Sequence, residues 1–219
     1  MSRPAFRDRR SAGEELARAL DFVMGGRVLV LAIPRGGVPV AEPVAARLDA
    51  PLDVIVTRKL RSPRDPELAL GAVSQDEVVI DPGLARSTGA SEEYLREEIA
   101  RETAEVERRT SDYRGGRAPP ALAGTTVVIV DDGVATGSTV RAAIRSARGR
   151  GASSVVVATP VGSTEAIDAL AGIADRVVCL STPEPFFAVG QFYEDFGQVT
   201  DDEVRTILRD ADLRRRSER

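Results

Sequence analysis

Residues 127–139 read Val127-Val-Ile-Val-Asp-Asp-Gly-Val-Ala-Thr-Gly-Ser-Thr139. The opening apolar run lacks the alternation of a half-exposed strand and suits one buried on both faces. Such a strand carries two adjacent carboxylates, Asp131 and Asp132, to its carboxyl end. Ala135, Thr136, Gly137, Ser138 and Thr139 then form a small, hydroxyl-rich loop that opens into a helix. A loop of this kind can aim several backbone N–H groups at one phosphate, with the helix N-terminus behind them. Carboxylates repel phosphate oxygens, so Asp131 and Asp132 suit sugar hydroxyls or a metal ion. The combination reads as a sugar-phosphate site. Taken alone, the same residues also fit a helix cap after an acidic strand end.

The pattern repeats on both sides. Residues 28–33, 52–57, 154–159 and 176–180 are further short apolar runs bounded by turn residues. Helical spacing or capping marks residues 38–48, 91–113, 139–148, 163–170 and 200–213. A first helix is expected from Ser11, with Ser11 and Glu14 as a capping box, up to the Gly25-Gly26 pair. Thr200 and Glu203 form a second capping box, and Glu92/Arg96, Glu97/Arg101 and Glu105/Arg109 stand four apart on the long helix. Residues 69–73 and 78–80 could pair as short strands. Alternating strands and helices imply βαβ units and one central parallel sheet of about five strands. The expected architecture is a single α/β domain over residues 1–219, with a small hood from the termini or the segments after the strands. Ligands of such sheets sit at the carboxyl ends of the strands.

Composition narrows the chemistry. A chain of 219 residues is one large or two small domains at roughly 150 residues each. No apolar run approaches the roughly 18 residues that cross a bilayer, and the first ten residues do not lead into a secretory signal. The single cysteine, Cys179, excludes an internal disulfide and suits a reducing cytoplasm. There is no histidine, which removes every His-dependent triad and His-containing zinc site. The net charge of −4 argues against a nucleic-acid partner. A P-loop and a dinucleotide-binding Gly-x-Gly-x-x-Gly are both missing from the sequence.

Two more strand ends stand out. Ile33-Pro-Arg-Gly-Gly-Val38 places adjacent glycines, Gly36 and Gly37, where backbone can approach a ligand, and Arg35 offers a fork of donors to phosphate oxygens. Thr57-Arg-Lys-Leu60 holds Arg58 and Lys59, and Lys59 is the one lysine among 30 basic residues. In a chain that otherwise uses arginine throughout, a lone ammonium suggests a need for a compact point charge. The proline-punctuated, charged stretch from residue 61 reads as an exposed, mobile loop. Five of the nine aromatic residues fall together: Phe186, Phe187, Phe192, Tyr193 and Phe196. They could stack a flat base, fill a hood core or form a subunit interface.

The stretch 127–139 closely resembles the binding motif for 5-phosphoribosyl 1-pyrophosphate (PRPP) in type I phosphoribosyltransferases. The resemblance implies that fold over most of the chain, and a role for each motif. Asp131 and Asp132 would hold the ribose hydroxyls, and Ala135 to Thr139 the 5′-phosphate. Residues 33–38 resemble the family's pyrophosphate loop, often built around a cis peptide, so Arg35, Gly36, Gly37 and Lys59 would bind pyrophosphate. The Arg58-Lys59 pair is similar to the matching segment of adenine and orotate enzymes. Lys59, Arg58, Arg35 and Asp132 are the expected catalytic set. Residues 61–80 would be a mobile catalytic loop and residues 183–213 a C-terminal hood and helix. Phe187-Ala-Val-Gly190 with Glu194 and Asp195 looks similar to the base-stacking and metal-binding segment of 6-oxopurine enzymes, which makes Phe186 and Phe187 base contacts. Those enzymes carry an acidic residue where Ala135 stands, and alanine there is closer to the adenine pattern.

The implied reaction is magnesium-dependent transfer of the phosphoribosyl group to a nitrogen of a nucleobase-like acceptor, purine favoured, with loss of pyrophosphate. Mg2+ would sit mainly on PRPP. A cytoplasmic homodimer is expected. The rival reading is a PRPP-binding regulator that keeps the fold without catalysis.

Overall fold

The computed structural model describes residues 5–65 and 68–217. Pro66 and Glu67, inside the stretch expected to be a mobile loop, lie outside the described residues. Strands β1 (Val28–Ala32), β2 (Leu52–Val54), β6 (Thr126–Val130), β7 (Ser154–Val161) and β8 (Arg176–Ser181) form a parallel sheet in the order β2-β1-β6-β7-β8. Strands β3 (Arg58–Arg61), β4 (Ala69–Val73) and β5 (Val78–Ile80) form a separate antiparallel sheet. The helices are α1 (Arg9–Arg18), α2 (Gly37–Arg47), α3 (Pro82–Ser87), α4 (Glu92–Arg114), α5 (Ser138–Gly149), α6 (Thr164–Ala171) and α7 (Asp201–Ser217).

The continuous apolar runs have a direct cause, because both faces of the sheet are covered. On β6, Val128 and Val130 pack with α1, α2 and α7. Val127 and Ile129 point the other way, into α5 and α6. β1 splits in the same manner, with Val30 and Ala32 on one side and Leu29 and Leu31 on the other. A third, smaller cluster of Phe6, Ala12, Val161, Phe192 and Tyr193 forms the hood above the sheet's carboxyl edge. No helix among the described residues is long and apolar enough to cross a membrane.

Several boundaries differ from the sequence reading. The capping box of α1 is Asp8 with Ser11, so the helix starts one turn earlier than a Ser11–Glu14 box would have it. It stops at Arg18 and gives way to a short 3-10 turn at Asp21–Val23. The Thr200–Glu203 box is present, with reciprocal bonds of 2.6 and 3.2 Å. Arg101 pairs with Glu98 and Glu102 rather than with Glu97. The expected C-terminal hood divides in two: residues 186–197 join the hood, whereas α7 buries Val204 and Leu208 in the main core.

Candidate active site

The acidic strand end and its loop are held by the neighbouring strand. The Val134 N–H donates to the Val161 carbonyl at 2.9 Å, and the Ser163 N–H donates to the Val134 carbonyl at 2.9 Å. Ser163 Oγ donates to the Ala135 carbonyl at 2.7 Å and Arg141 Nη2 to the Thr136 carbonyl at 3.1 Å. Both loop carbonyls are thereby engaged. Gly137 takes φ +71°, a left-handed turn that glycine alone adopts without penalty, and α5 begins at the next residue. The first N–H groups of a helix have no intrahelical acceptor, so this loop offers free donors. The Thr136 and Ser138 hydroxyls lie 3.3 Å apart beside them. The arrangement can serve as an anion cradle.

Asp131 and Asp132 stand next to it. Asp131 Oδ1 accepts the Asp132 N–H at 2.9 Å. Burial pushes the Asp131 carboxyl well above the usual carboxylate range, and the adjacent Asp132 charge pushes the same way. Asp132 is also raised by burial, against the opposing hydrogen bond and charge of Arg9. A Cβ on Gly36 would lie 1.9 Å from Asp132 Oδ2. Glycine is therefore needed there for space: the carboxylate of one strand end occupies the place of a side chain on the other.

The Pro34–Arg35 peptide is cis, as the resemblance of this loop implies. The two glycine amides of this loop differ. The Gly37 N–H is spent on the Ile33 carbonyl at 3.0 Å, which removes it from the donors expected to meet a pyrophosphate. The Gly36 N–H has no protein acceptor among the described residues. Arg35 Nη1 lies 3.9 Å from Asp201 Oδ1 at the start of α7, and Tyr113 OH donates to the same oxygen. Burial and that bond push the Tyr113 hydroxyl up to about 12.

Arg58 and Lys59 part company. Adjacent residues of a strand point to opposite faces. Arg58 Nε is bonded to Glu102 of α4 at 2.7 Å, which takes Arg58 away from the strand-end cleft. Lys59 is exposed on the other face and lines a cavity of about 580 Å³ with Thr136, Ser138, Arg141 and Arg145. Of the expected basic pair, only Lys59 shares space with the anion cradle. Residues 69–73 and 78–80 pair as the short strands the sequence suggested, Arg58–Arg61 add a third strand beside them, and the Arg58–Glu102 pair ties this sheet to α4.

The aromatic group is mainly hood core. Phe192 and Tyr193 are buried, and Phe186 packs on Phe192 with ring centroids 5.1 Å apart. Phe187 is 83% exposed and presents a free ring. Glu194 and Asp195 are exposed, their N–H groups bonded to the Phe6 and Arg7 carbonyls. No cluster of three potential metal ligands exists among the described residues. Magnesium takes oxygen ligands and keeps several waters, so a site for it would need few of these carboxylates. Two site residues escaped the sequence reading. Arg9 Nε donates to Asp132 Oδ2 at 2.7 Å, and Tyr193 OH donates to the Asp132 carbonyl at 2.6 Å. Tyr193 was visible only as a member of the aromatic group. Nothing in local spacing points to Arg9.

Residues 10–196 match the family described as "Phosphoribosyl transferase domain". A curated Mycobacterium tuberculosis protein (strain H37Rv), named provisionally as a phosphoribosyl transferase, is 48% identical over 204 residues, 93% of this chain and 46% of the relative. The chain thus spans about half the length of the curated relatives it matches. The crystal structure of TT1426 from Thermus thermophilus is 47% identical, with a TM-score of 0.79 over 93% of this chain and 97% of that one. AQ2163 from Aquifex aeolicus, 14% identical, shares the fold with a TM-score of 0.52 over 83% of this chain and 78% of its own.

Proposed function

The chain belongs to the phosphoribosyl transferase family, and from that premise we propose that it binds PRPP and transfers the 5-phosphoribosyl group to a nitrogen of a nucleobase-like acceptor, purine favoured, releasing pyrophosphate. The observation that carries this reading is the neighbourhood of Asp131 and Asp132, the 135–139 cradle and the 33–38 loop at the ends of adjacent strands β6 and β1. Its fold is the type I phosphoribosyltransferase fold, a five-stranded parallel sheet with a small antiparallel sheet beside it.

In this reading Asp131 and Asp132 accept hydrogen bonds from the ribose hydroxyls. The Thr136, Ser138 and Thr139 hydroxyls and the α5 N-terminus hold the 5′-phosphate. As the bond from the anomeric carbon to pyrophosphate breaks, positive charge grows on the ribose and negative charge on the leaving group. Arg35, the Gly36 N–H and Lys59 stabilise the leaving charge. Asp131 and Asp132 stabilise the ribosyl cation by their own negative charge. Glu194 and Asp195 are the hood carboxylates that would help hold magnesium, which when bound with the substrate would supply positive charge to the pyrophosphate oxygens. Phe187 is the free ring on which a flat acceptor can stack.

A cytoplasmic homodimer belongs to the same reading, and sedimentation of the purified chain tests the dimer. The reaction is tested by incubating the chain with PRPP, magnesium and a panel of nucleobases and measuring pyrophosphate. Release that depends on one base supports the reading. PRPP binding without release from any base turns the chain into a regulator that has kept the fold.

A further inference from the structure

The hood grips Asp132 from two sides: Tyr193 at its carbonyl and Arg9 at its carboxylate. Arg9 stands at the first position of α1, 123 residues from its partner. The ion pair is nearly enclosed, with the two side chains 12% and 15% exposed. Arg9 is itself fixed twice more. Its Nη1 donates to the Gly197 carbonyl at 2.7 Å, and its guanidinium lies 3.7 Å from the centroid of the Phe196 ring. Phe196 packs in turn on Tyr193, with centroids 5.0 Å apart.

This is more than charge neutralisation demands. Fixing a long side chain in one rotamer costs entropy, which a screening charge on the surface would not need to spend. The result is a single direction for Nε, aimed at Asp132 Oδ2. Gly36 stands against the same oxygen, and its missing side chain leaves it room. Asp132 Oδ2 thus has both the guanidinium and the glycine as neighbours, and Oδ1 takes no part in the Arg9 bond. Asp131 beside it and Glu203 near Arg9 are the other charges at this corner.

We propose that Arg9 is a positioning residue for ribose recognition, fixing the Asp132 carboxylate so that its second oxygen is presented to the substrate's hydroxyls. The inference rests on the PRPP reading above and adds the first turn of α1 to the binding machinery. Burial alone disfavours an ionised Asp132, and Arg9 counters that cost at the place where the carboxylate must act.

The test is a double-mutant cycle, with calorimetric titration of the full chain by PRPP and magnesium. Wild type, Arg9→Ala, Asp132→Asn and the double variant are compared. Arg9→Ala should weaken PRPP binding by about 10- to 100-fold, as expected for loss of a charge-assisted bond. In the Asp132→Asn background the same replacement should cost less than about twofold, because a positioning residue has nothing left to position. Arg9→Gln keeps the packing on Phe196 and carries the same comparison if the alanine variant melts early. Wild-type affinity in Arg9→Ala or Arg9→Gln, or an undiminished loss in the Asp132→Asn background, overturns the inference alone. A wild-type chain that binds no PRPP removes the phosphoribosyl reading and this inference with it.

Discussion

Replacing Gly36 by alanine should separate function from folding. The Gly36 backbone lies at φ −60° and ψ −33°, ordinary helical values that alanine adopts freely. The obstacle is the Asp132 carboxylate, with Oδ2 1.9 Å and Cγ 2.6 Å from the new methyl group. Heavy atoms do not approach a Cβ within 3.0 Å, so the carboxylate must retreat by about 1 Å. A displacement of that size cannot preserve the 2.7 Å bond from Arg9 Nε. Losing a hydrogen bond between charged groups costs about 1.5–3 kcal/mol, or about 10- to 150-fold in PRPP affinity. The fold should lose less, because the clash falls on a side-chain carboxylate that can rotate and not on backbone.

Gly37→Ala is the control in the opposite sense. Its methyl group would lie 2.6 Å from the Val130 carbonyl oxygen and 3.0 Å from Asp131 Cα, which belong to the backbone of the central strand and its end. Overpacking of this kind costs about 1–3 kcal/mol, and each kcal/mol shifts the melting temperature of a chain this size by about 2–4 °C. Thermal melting and PRPP titration of both variants check the pair. Gly36→Ala with wild-type affinity, or with a larger melting loss than Gly37→Ala, would refute the reasoning.

Lys59→Arg keeps the charge and should fold normally, yet lose on the order of 10²–10³ in turnover, because a planar fork cannot replace a point charge in this cavity; equal single-turnover rates would make the lone lysine an accident of composition. Asp131→Asn should stabilise the protein at pH 7 while weakening PRPP binding. The folded-state pKa of Asp131 is raised, so above the unfolded value near 3.8 the native state binds more protons than the unfolded one. Its contribution to stability therefore falls as pH rises towards the raised pKa, and asparagine escapes that loss; a lower melting temperature for the variant at pH 7 counts against the assignment. Glu102→Ala frees Arg58 from α4 and should speed hydrogen exchange in β3 and β4 while leaving β6 protected, and unchanged β3 exchange would show that the pair does not dock the small sheet.

The inner parallel strands were legible because burial on both faces leaves an unbroken apolar signature, as in residues 127–130 and 155–157, whereas β8 at the sheet's edge kept an apolar run although none of its residues is fully buried. β3 was not legible as a strand. Of its residues Arg58, Lys59, Leu60 and Arg61, only Leu60 is buried, and the strand is tied to α4 by the Arg58–Glu102 pair. The short α3 left a weaker trace, Asp81 as cap and Pro82 in the first turn. At the site, Asp131, Asp132 and residues 135–139 could be read because one contiguous segment builds them. The opposite faces of Arg58 and Lys59 follow from strand alternation, once the strand is known. The engaged Gly37 amide and the Arg9 contact depend on tertiary approach, and no spacing in a single sequence encodes either.

The central claim is that Asp131, Asp132 and the 135–139 cradle form a PRPP site. Calorimetric titration with PRPP and magnesium of the wild-type chain and of the Asp131→Asn/Asp132→Asn double variant tests it most directly. Saturable binding of one PRPP per chain is expected in the wild type. The double variant should lose at least about tenfold in affinity, with the fold retained. A wild-type chain that takes up no PRPP, or a double variant that binds it with unchanged affinity, would contradict the claim.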